Sequence, residues 1–141
     1  MGDSEALSLL RRAGLRSTPQ RLAIVREVYA RNHPSVGEVY DAVRAQFPTI
    51  GLATVYNTLR TMTDNGLVSE LPFANVTRFE VNTRPHANLV CRKCGKIEDG
   101  DEMEEGVLAE VLERVAGAAS FRPETQRVDI YGLCRDCAAA D

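Results

Sequence analysis

The chain has 141 residues, 44% of them hydrophobic and 6% aromatic, with no Trp and a formal net charge of −3 at pH 7. That length accommodates one domain or two small ones, and no apolar run approaches the ~18 residues of a membrane-spanning helix. Met1–Ala6 carries neither a secretion signal nor a myristoylation pattern, so the chain reads as cytoplasmic.

The charge is uneven. Residues 1–66 hold eight Arg against six acidic residues, a weak bias toward a polyanion, whereas residues 67–141 hold nine basic against fourteen acidic residues and would favour cations. In chain order, Ser4 can cap a helix through Ala13 with Leu7 and Leu10 inward, and Gly14 is its natural stop. Thr18-Pro19 is an N-cap followed by proline at the first helical position, opening a helix with Leu22, Val25 and Val28 on one face. Ser35-Val36-Gly37-Glu38 has capping-box spacing and starts a third helix that Phe47-Pro48 ends.

The fourth helix, Leu52 to Asn65, is the most informative. Leu52, Val55, Leu59 and Met62 recur at the spacing of a buried stripe. At about 100° per residue, Ala53, Tyr56, Asn57 and Arg60 share a neighbouring face. Arg and Asn make bidentate contacts to guanine and adenine, and Tyr can reach a thymine methyl or a phosphate. With Thr54 beside them, and Arg16 and Arg21 as phosphate contacts, these are the candidate DNA-binding residues. A solvated helix face would show the same composition. The sequel favours DNA: Leu67–Leu71 and Thr77–Val81 are extended segments across a short turn, and helices followed directly by a hairpin make a winged helix-turn-helix.

Beyond residue 82 the pattern changes. His86–Cys91 and Lys96–Asp99 read as strands, Met103 to Val115 as an amphipathic helix ending at Gly117, and Phe121–Leu133 as a long strand. Cys91-Arg-Lys-Cys94 and Cys134-Arg-Asp-Cys137 are two CxxC knuckles that use all four cysteines. Two such turns supply the four thiolates of a closed tetrahedral zinc site, with Zn–S distances of about 2.3 Å. Two disulfides or a redox pair are the alternatives, disfavoured by the missing secretion signal and by the matched knuckles. The expected fold class is therefore α+β, with a winged-helix DNA-binding domain over 1–82 and a small α/β dimerisation domain over 83–141. A unit of that size buries little alone, so zinc and a two-fold partner are expected to complete it, and a symmetric dimer suits a palindromic double-stranded operator.

These residues resemble the ferric uptake regulator (Fur) family of metal-dependent repressors. The likeness runs through Leu15–Arg21, Asn32–Ser35, Leu52–Leu59, Arg78–Glu80, Cys91–Lys96 and Tyr131–Cys134. It implies a structural zinc on Cys91, Cys94, Cys134 and Cys137 and a regulatory Fe(II) or Mn(II) site drawn from His33, Glu80, His86, Asn88 and Asp99. The short link from Glu80 to Pro85-His86, together with Asp99, is similar to the peroxide-sensing PerR branch, with the iron-uptake type as the alternative. The resemblance also exposes departures. The family usually has His where Asn88 stands, so binding should be weaker or a carboxylate from Asp101, Glu102 or Glu104 could complete the shell. Members with an additional metal site commonly have His where Gln126 stands, so that site is expected to be absent. The peroxide-sensing branch usually has Asp where Glu80 stands. A zinc hydrolase is the competing class, but the knuckles leave no open coordination position and no catalytic motif is present, so no enzyme activity is expected.

Overall fold

The computed structural model describes residues 1–73, 75–102, 106–124 and 126–140, and for 101 and 102 the backbone alone. The chain divides into two compact units, Met1–Thr83 and Arg84–Asp141.

The first unit contains α1 (Asp3–Arg12), α2 (Pro19–Ala30), α3 (Val36–Arg44), α4 (Leu52–Asp64), β1 (Ser69–Pro72) and β2 (Thr77–Glu80). Side-chain caps set the starts of α2 and α3. The Thr18 side chain accepts from the Arg21 amide at 3.2 Å. Ser35 and Glu38 complete a reciprocal capping box, with Ser35 Oγ accepting at 3.2 Å and the Glu38 carboxylate accepting from the Ser35 amide at 2.9 Å. The first helix differs from expectation: it begins at Asp3 behind Gly2, and its buried residues are Ala6, Leu9 and Leu10, with Leu7 only half-buried.

Ile24, Val25, Val28, Val39, Val43, Val55, Leu59, Met62 and Phe79 form one core in this unit. β1 and β2 pair antiparallel from Ser69↔Glu80 to Pro72↔Thr77. The hairpin is not a free flap, because the Phe79 amide donates to Pro34 O at 2.9 Å and Ser35 bridges Arg78. This is a winged helix, with its wing stitched to the α2–α3 connection.

The stripe expected on α4 needs one correction. Leu52 is 52% exposed, and the buried set is Val55, Thr58, Leu59 and Met62. Leu52 lies in the first turn, where the helix projects from the core, and Thr58 takes the inward position by donating its hydroxyl to Thr54 O at 2.7 Å.

The second unit contains β3 (His86–Cys91), β4 (Ile97–Glu102), α5 (Val107–Gly117), β5 (Val128–Gly132) and α6 (Arg135–Ala139). Its sheet has the order β4-β3-β5, with β3 antiparallel to β4 and parallel to β5. A bulge lies between His86 and Asn88, where a Cβ on Gly100 would sit 3.1 Å from the Ala87 carbonyl oxygen; this close approach favours glycine. The long strand expected over Phe121–Leu133 is shorter, covering Val128–Gly132 alone, the stretch that pairs with Ala87–Cys91 of β3. Met103, expected at the start of the amphipathic helix, and Thr125 lie outside the described residues.

Little is buried here. No residue of α5 is buried, and Val115, Phe121, Ile130 and Tyr131 are each more than half exposed. The apolar stripe of α5 exists in the sequence but finds no cover among the described residues.

The α4 correction makes a quantitative prediction. In denaturant unfolding of the full chain, Leu59→Ala should destabilise the first unit by about 2–5 kcal/mol, whereas Leu52→Ala should change it by no more than about 0.5 kcal/mol. Equal losses at the two sites would restore Leu52 to the core.

Candidate metal centres and nucleic-acid interface

β3 ends at Cys91, and the chain turns tightly to Cys94 and Gly95, whose φ of 78° lies in the left-handed region that glycine adopts without strain. The Gly95 amide donates to Cys91 O at 3.0 Å, and the Cys91 amide donates to Lys96 O at 2.9 Å. Parallel pairing places Cys91 opposite Gly132, and the Arg92 amide donates to Gly132 O at 2.8 Å, so the second knuckle arrives two residues later. Cys134 caps α6 and Cys137 lies within that helix, which spacing alone did not reveal.

The four sulfur atoms lie within 4.8 Å of one another, with Cys94 Sγ and Cys134 Sγ 3.8 Å apart. Sulfurs at the corners of a tetrahedron with Zn–S of about 2.3 Å would be separated by about 3.8 Å, so the donor set fits zinc. The four thiols are also electrostatically unequal. Backbone amides of Cys94 and Cys134 aimed at its sulfur lower Cys91 to about 6, while the hydrogen bond to the Cys134 side chain, followed by burial, pushes Cys137 up to about 12. Four thiolates cannot share so small a space without a cation, and metal binding would displace the remaining protons.

Each unit also holds a histidine beside a carboxylate. In the first, His33 sits between α2 and α3 with a φ of 49°, a left-handed conformation that costs a non-glycine residue about 1 kcal/mol or more. Arg78 anchors it by donating to His33 O at 2.9 Å, and the His33 ring lies with Nδ1 2.8 Å from Asn32 Oδ1. Because that oxygen only accepts, Nδ1 carries the proton and the Nε2 lone pair is directed elsewhere. Nε2 lies 3.5 Å from Glu80 Oε2, and both side chains are buried.

The second unit repeats this logic. His86 Nδ1 donates to Arg84 O at 2.6 Å, and Nε2 lies 3.3 Å from Asp99 Oδ1. A lone pair facing a carboxylate oxygen is a repulsive arrangement until a cation, proton or metal, lies between them. Asn88 is buried between Asp99 on β4 and Asp129 on β5. Glu104 and the side chains of Asp101 and Glu102, considered as substitute ligands, lie outside the described residues. The positioning roles of Asn32, Arg78 and Asp129 escaped sequence reasoning, since polar residues on strands and turns carry no signal of which backbone they will reach.

On α4, Ala53, Tyr56, Asn57 and Arg60 are exposed together and Thr54 is half-buried at their edge. Arg16 is exposed, whereas Arg21 is half-buried and donates to Arg16 O at 3.2 Å, so it also pins the backbone that carries Arg16.

A winged helix followed by a small unit closed on four thiols is the architecture of a metal-dependent DNA-binding regulator. The chain belongs to the Ferric uptake regulator family, whose sequence profile matches residues 12–131. It is 40% identical over 135 residues to the peroxide-responsive repressor PerR of Staphylococcus epidermidis, covering 94% of this chain and 88% of that protein. Among solved structures, the Campylobacter jejuni peroxide stress regulator is similar at 32% identity with a TM-score of 0.70, over 93% of this chain and 98% of that one. The Vibrio cholerae ferric uptake regulator, described for a rearrangement of its DNA-binding domains, matches at 30% identity and a TM-score of 0.68, over 91% and 98%.

Replacing Cys91 or Cys134 by serine should take the protein from one bound zinc per protomer to none and dissociate much of the dimer, since a hydroxyl cannot complete the thiolate set. Metal analysis and sedimentation check this; a stable zinc-free dimer of the unaltered chain would defeat it.

Proposed function

We propose that this protein is a peroxide-responsive, metal-dependent transcriptional repressor, a regulator rather than an enzyme. It acts in the cytoplasm as a homodimer on a palindromic operator. The observation that carries the reading is the pair of histidines, each with Nδ1 committed to an oxygen acceptor and Nε2 turned toward a carboxylate. Both histidines of the chain are prepared in this way as metal ligands.

The regulatory metal, Fe(II) or Mn(II), is held by His33, Glu80, His86, Asn88 and Asp99, and the structural zinc by the four cysteines. Imidazole and carboxylate donors suit these ions. Because His33 and Glu80 belong to the winged helix and the other three to the second unit, a shared ion favours one arrangement of the units. It shifts the equilibrium only as far as it prefers that arrangement. Bound iron would supply the reduction of hydrogen peroxide that leaves an oxidant beside the imidazoles. His33 and His86 are the side chains that gain oxygen, and a modified imidazole is a poorer donor, so the operator is released. The Cys91–Cys137 cluster takes no part in this, and its zinc should survive peroxide treatment; zinc loss tracking derepression would mark a thiol switch instead.

Regulators of this family bind DNA as dimers. In this chain α4 reads bases and Arg16 and Arg21 meet phosphates. Arg60→Ala or Tyr56→Ala should weaken operator binding by about 1–3 kcal/mol and relax sequence preference, whereas Arg16→Ala or Arg21→Ala should lower affinity for all sequences and reduce its salt dependence. Fluorescence anisotropy across salt concentrations distinguishes the sets, and identical behaviour would refute the division of roles.

Peroxide sensing is checked by mass spectrometry of iron-loaded protein after stoichiometric peroxide. The gain of one oxygen atom on peptides carrying His33 or His86 should track loss of DNA binding, and manganese-loaded protein should resist. Glu80 stands where the peroxide-sensing branch usually has aspartate, and it favours slower oxidation. Unmodified peptides with intact repression would establish the second reading, an iron-responsive repressor of iron uptake.

A further inference from the structure

Asn88 occupies the centre of β3, and the ladders set it beside Asp99 on β4 and Asp129 on β5. It is 2% exposed. Its Nδ2 donates to Asp129 Oδ1 at 3.2 Å, while its Oδ1 has no hydrogen-bond partner among the described residues. Asp129 is itself held on both oxygens by Arg127, with Nε 3.0 Å from Oδ1 and Nη2 2.8 Å from Oδ2.

The amide has one acceptable orientation. A carboxylate clamped by a guanidinium accepts and does not donate, so turning the amide over would press Asn88 Oδ1 against an Asp129 oxygen. With the nitrogen committed to β5, the carbonyl oxygen is directed away from it. A buried carbonyl without a hydrogen bond is costly unless something positive meets it. In the same unit, His86 Nε2 on β3 and Asp99 Oδ1 on the neighbouring strand β4 lie 3.3 Å apart as further donors.

We propose that Asp129, locked by Arg127, is a positioning residue that presents the Asn88 carbonyl oxygen to the regulatory metal, making the site favour Mn(II) over Zn(II). This rests on the regulatory-site reading above. Amide and carboxylate oxygens are hard donors that suit Mn(II), whereas an imidazole at the same place would suit Zn(II). Residues behind the ligands typically change metal affinity by about 10- to 100-fold, which sets the scale of the effect.

The test uses the full-length dimer with its cysteine site filled by zinc. Mn(II) binding is read from the electron paramagnetic resonance of free Mn(II), and preference from competition with Zn(II). Asp129→Ala should lower Mn(II) affinity about 10- to 100-fold while the cysteine zinc stays at one per protomer, and Zn(II) affinity at the second site should fall less. Arg127→Ala should act in the same direction more weakly. In an Asn88→Asp background, Asp129→Ala should have no such cost, because a carboxylate presents an oxygen in either orientation. A wild-type protein that binds no second divalent ion would overturn both this inference and the regulatory site. Normal Mn(II) binding that Asp129→Ala leaves unchanged would overturn the positioning role alone. A loss of equal size in the Asn88→Asp background would also overturn it, since the effect would not pass through the amide. Should Asp129→Ala lose its cysteine zinc, Arg127→Ala in the two backgrounds decides by the same criteria.

Discussion

Four sulfur atoms within 4.8 Å of one another place the strongest constraint on the second unit. They come from both ends of a segment that includes α5 and β5, and the parallel pairing of β5 with β3, which sets Cys91 opposite Gly132, brings them together. A unit with so few buried side chains gains little from hydrophobic contact, and a metal that ties its two knuckles together replaces much of a core. The same register that brings Cys134 to Cys91 also aligns Asp129 with Asn88 and sets Asn88 against Asp99. The strand pairing that brings the thiols together therefore also sets this polar row, to which the proposed regulatory site is assigned.

The first unit is organised differently. Its second and third helices are capped locally by side chains and its core is continuous. What it contributes is an imidazole held in a left-handed backbone conformation by a guanidinium from the wing and a neighbouring asparagine. Arg78 also reaches the Glu38 carboxylate at 3.3 Å, connecting the wing to the first turn of α3. A disturbance at His33 thus has a short covalent and hydrogen-bonded route to the helices and wing that would meet DNA.

The apolar stripe of α5, uncovered among the described residues, and Ile130 and Tyr131 on β5 are consistent with the dimers that regulators of this family form. Several large side chains left in water around one small unit amount to a surface that a second copy can cover. Dimerisation and DNA recognition then reinforce each other, since two-fold symmetry in the protein is matched by two-fold symmetry in an operator.

The sequence by itself determined what depends on near neighbours in the chain. Thr18-Pro19 and Ser35–Glu38 specify helix starts through hydrogen bonds three residues long, and the CxxC spacing brings two thiols to one turn. Periodicity likewise marked the exposed face of α4 and the stripe of α5, and the motif order was enough to point to the family. Tertiary structure decided the rest. Whether Leu52 is buried depends on where α4 leaves the core, and whether Phe121–Leu133 remains extended depends on where a partner strand ends. Which way the Asn88 amide is turned depends on Asp129 and Arg127, a strand away in space but some forty residues away in sequence. Local hydrogen bonds can be read from spacing because the backbone geometry between their ends is known; the direction of a buried amide cannot, because it belongs to the residues that the fold places around it.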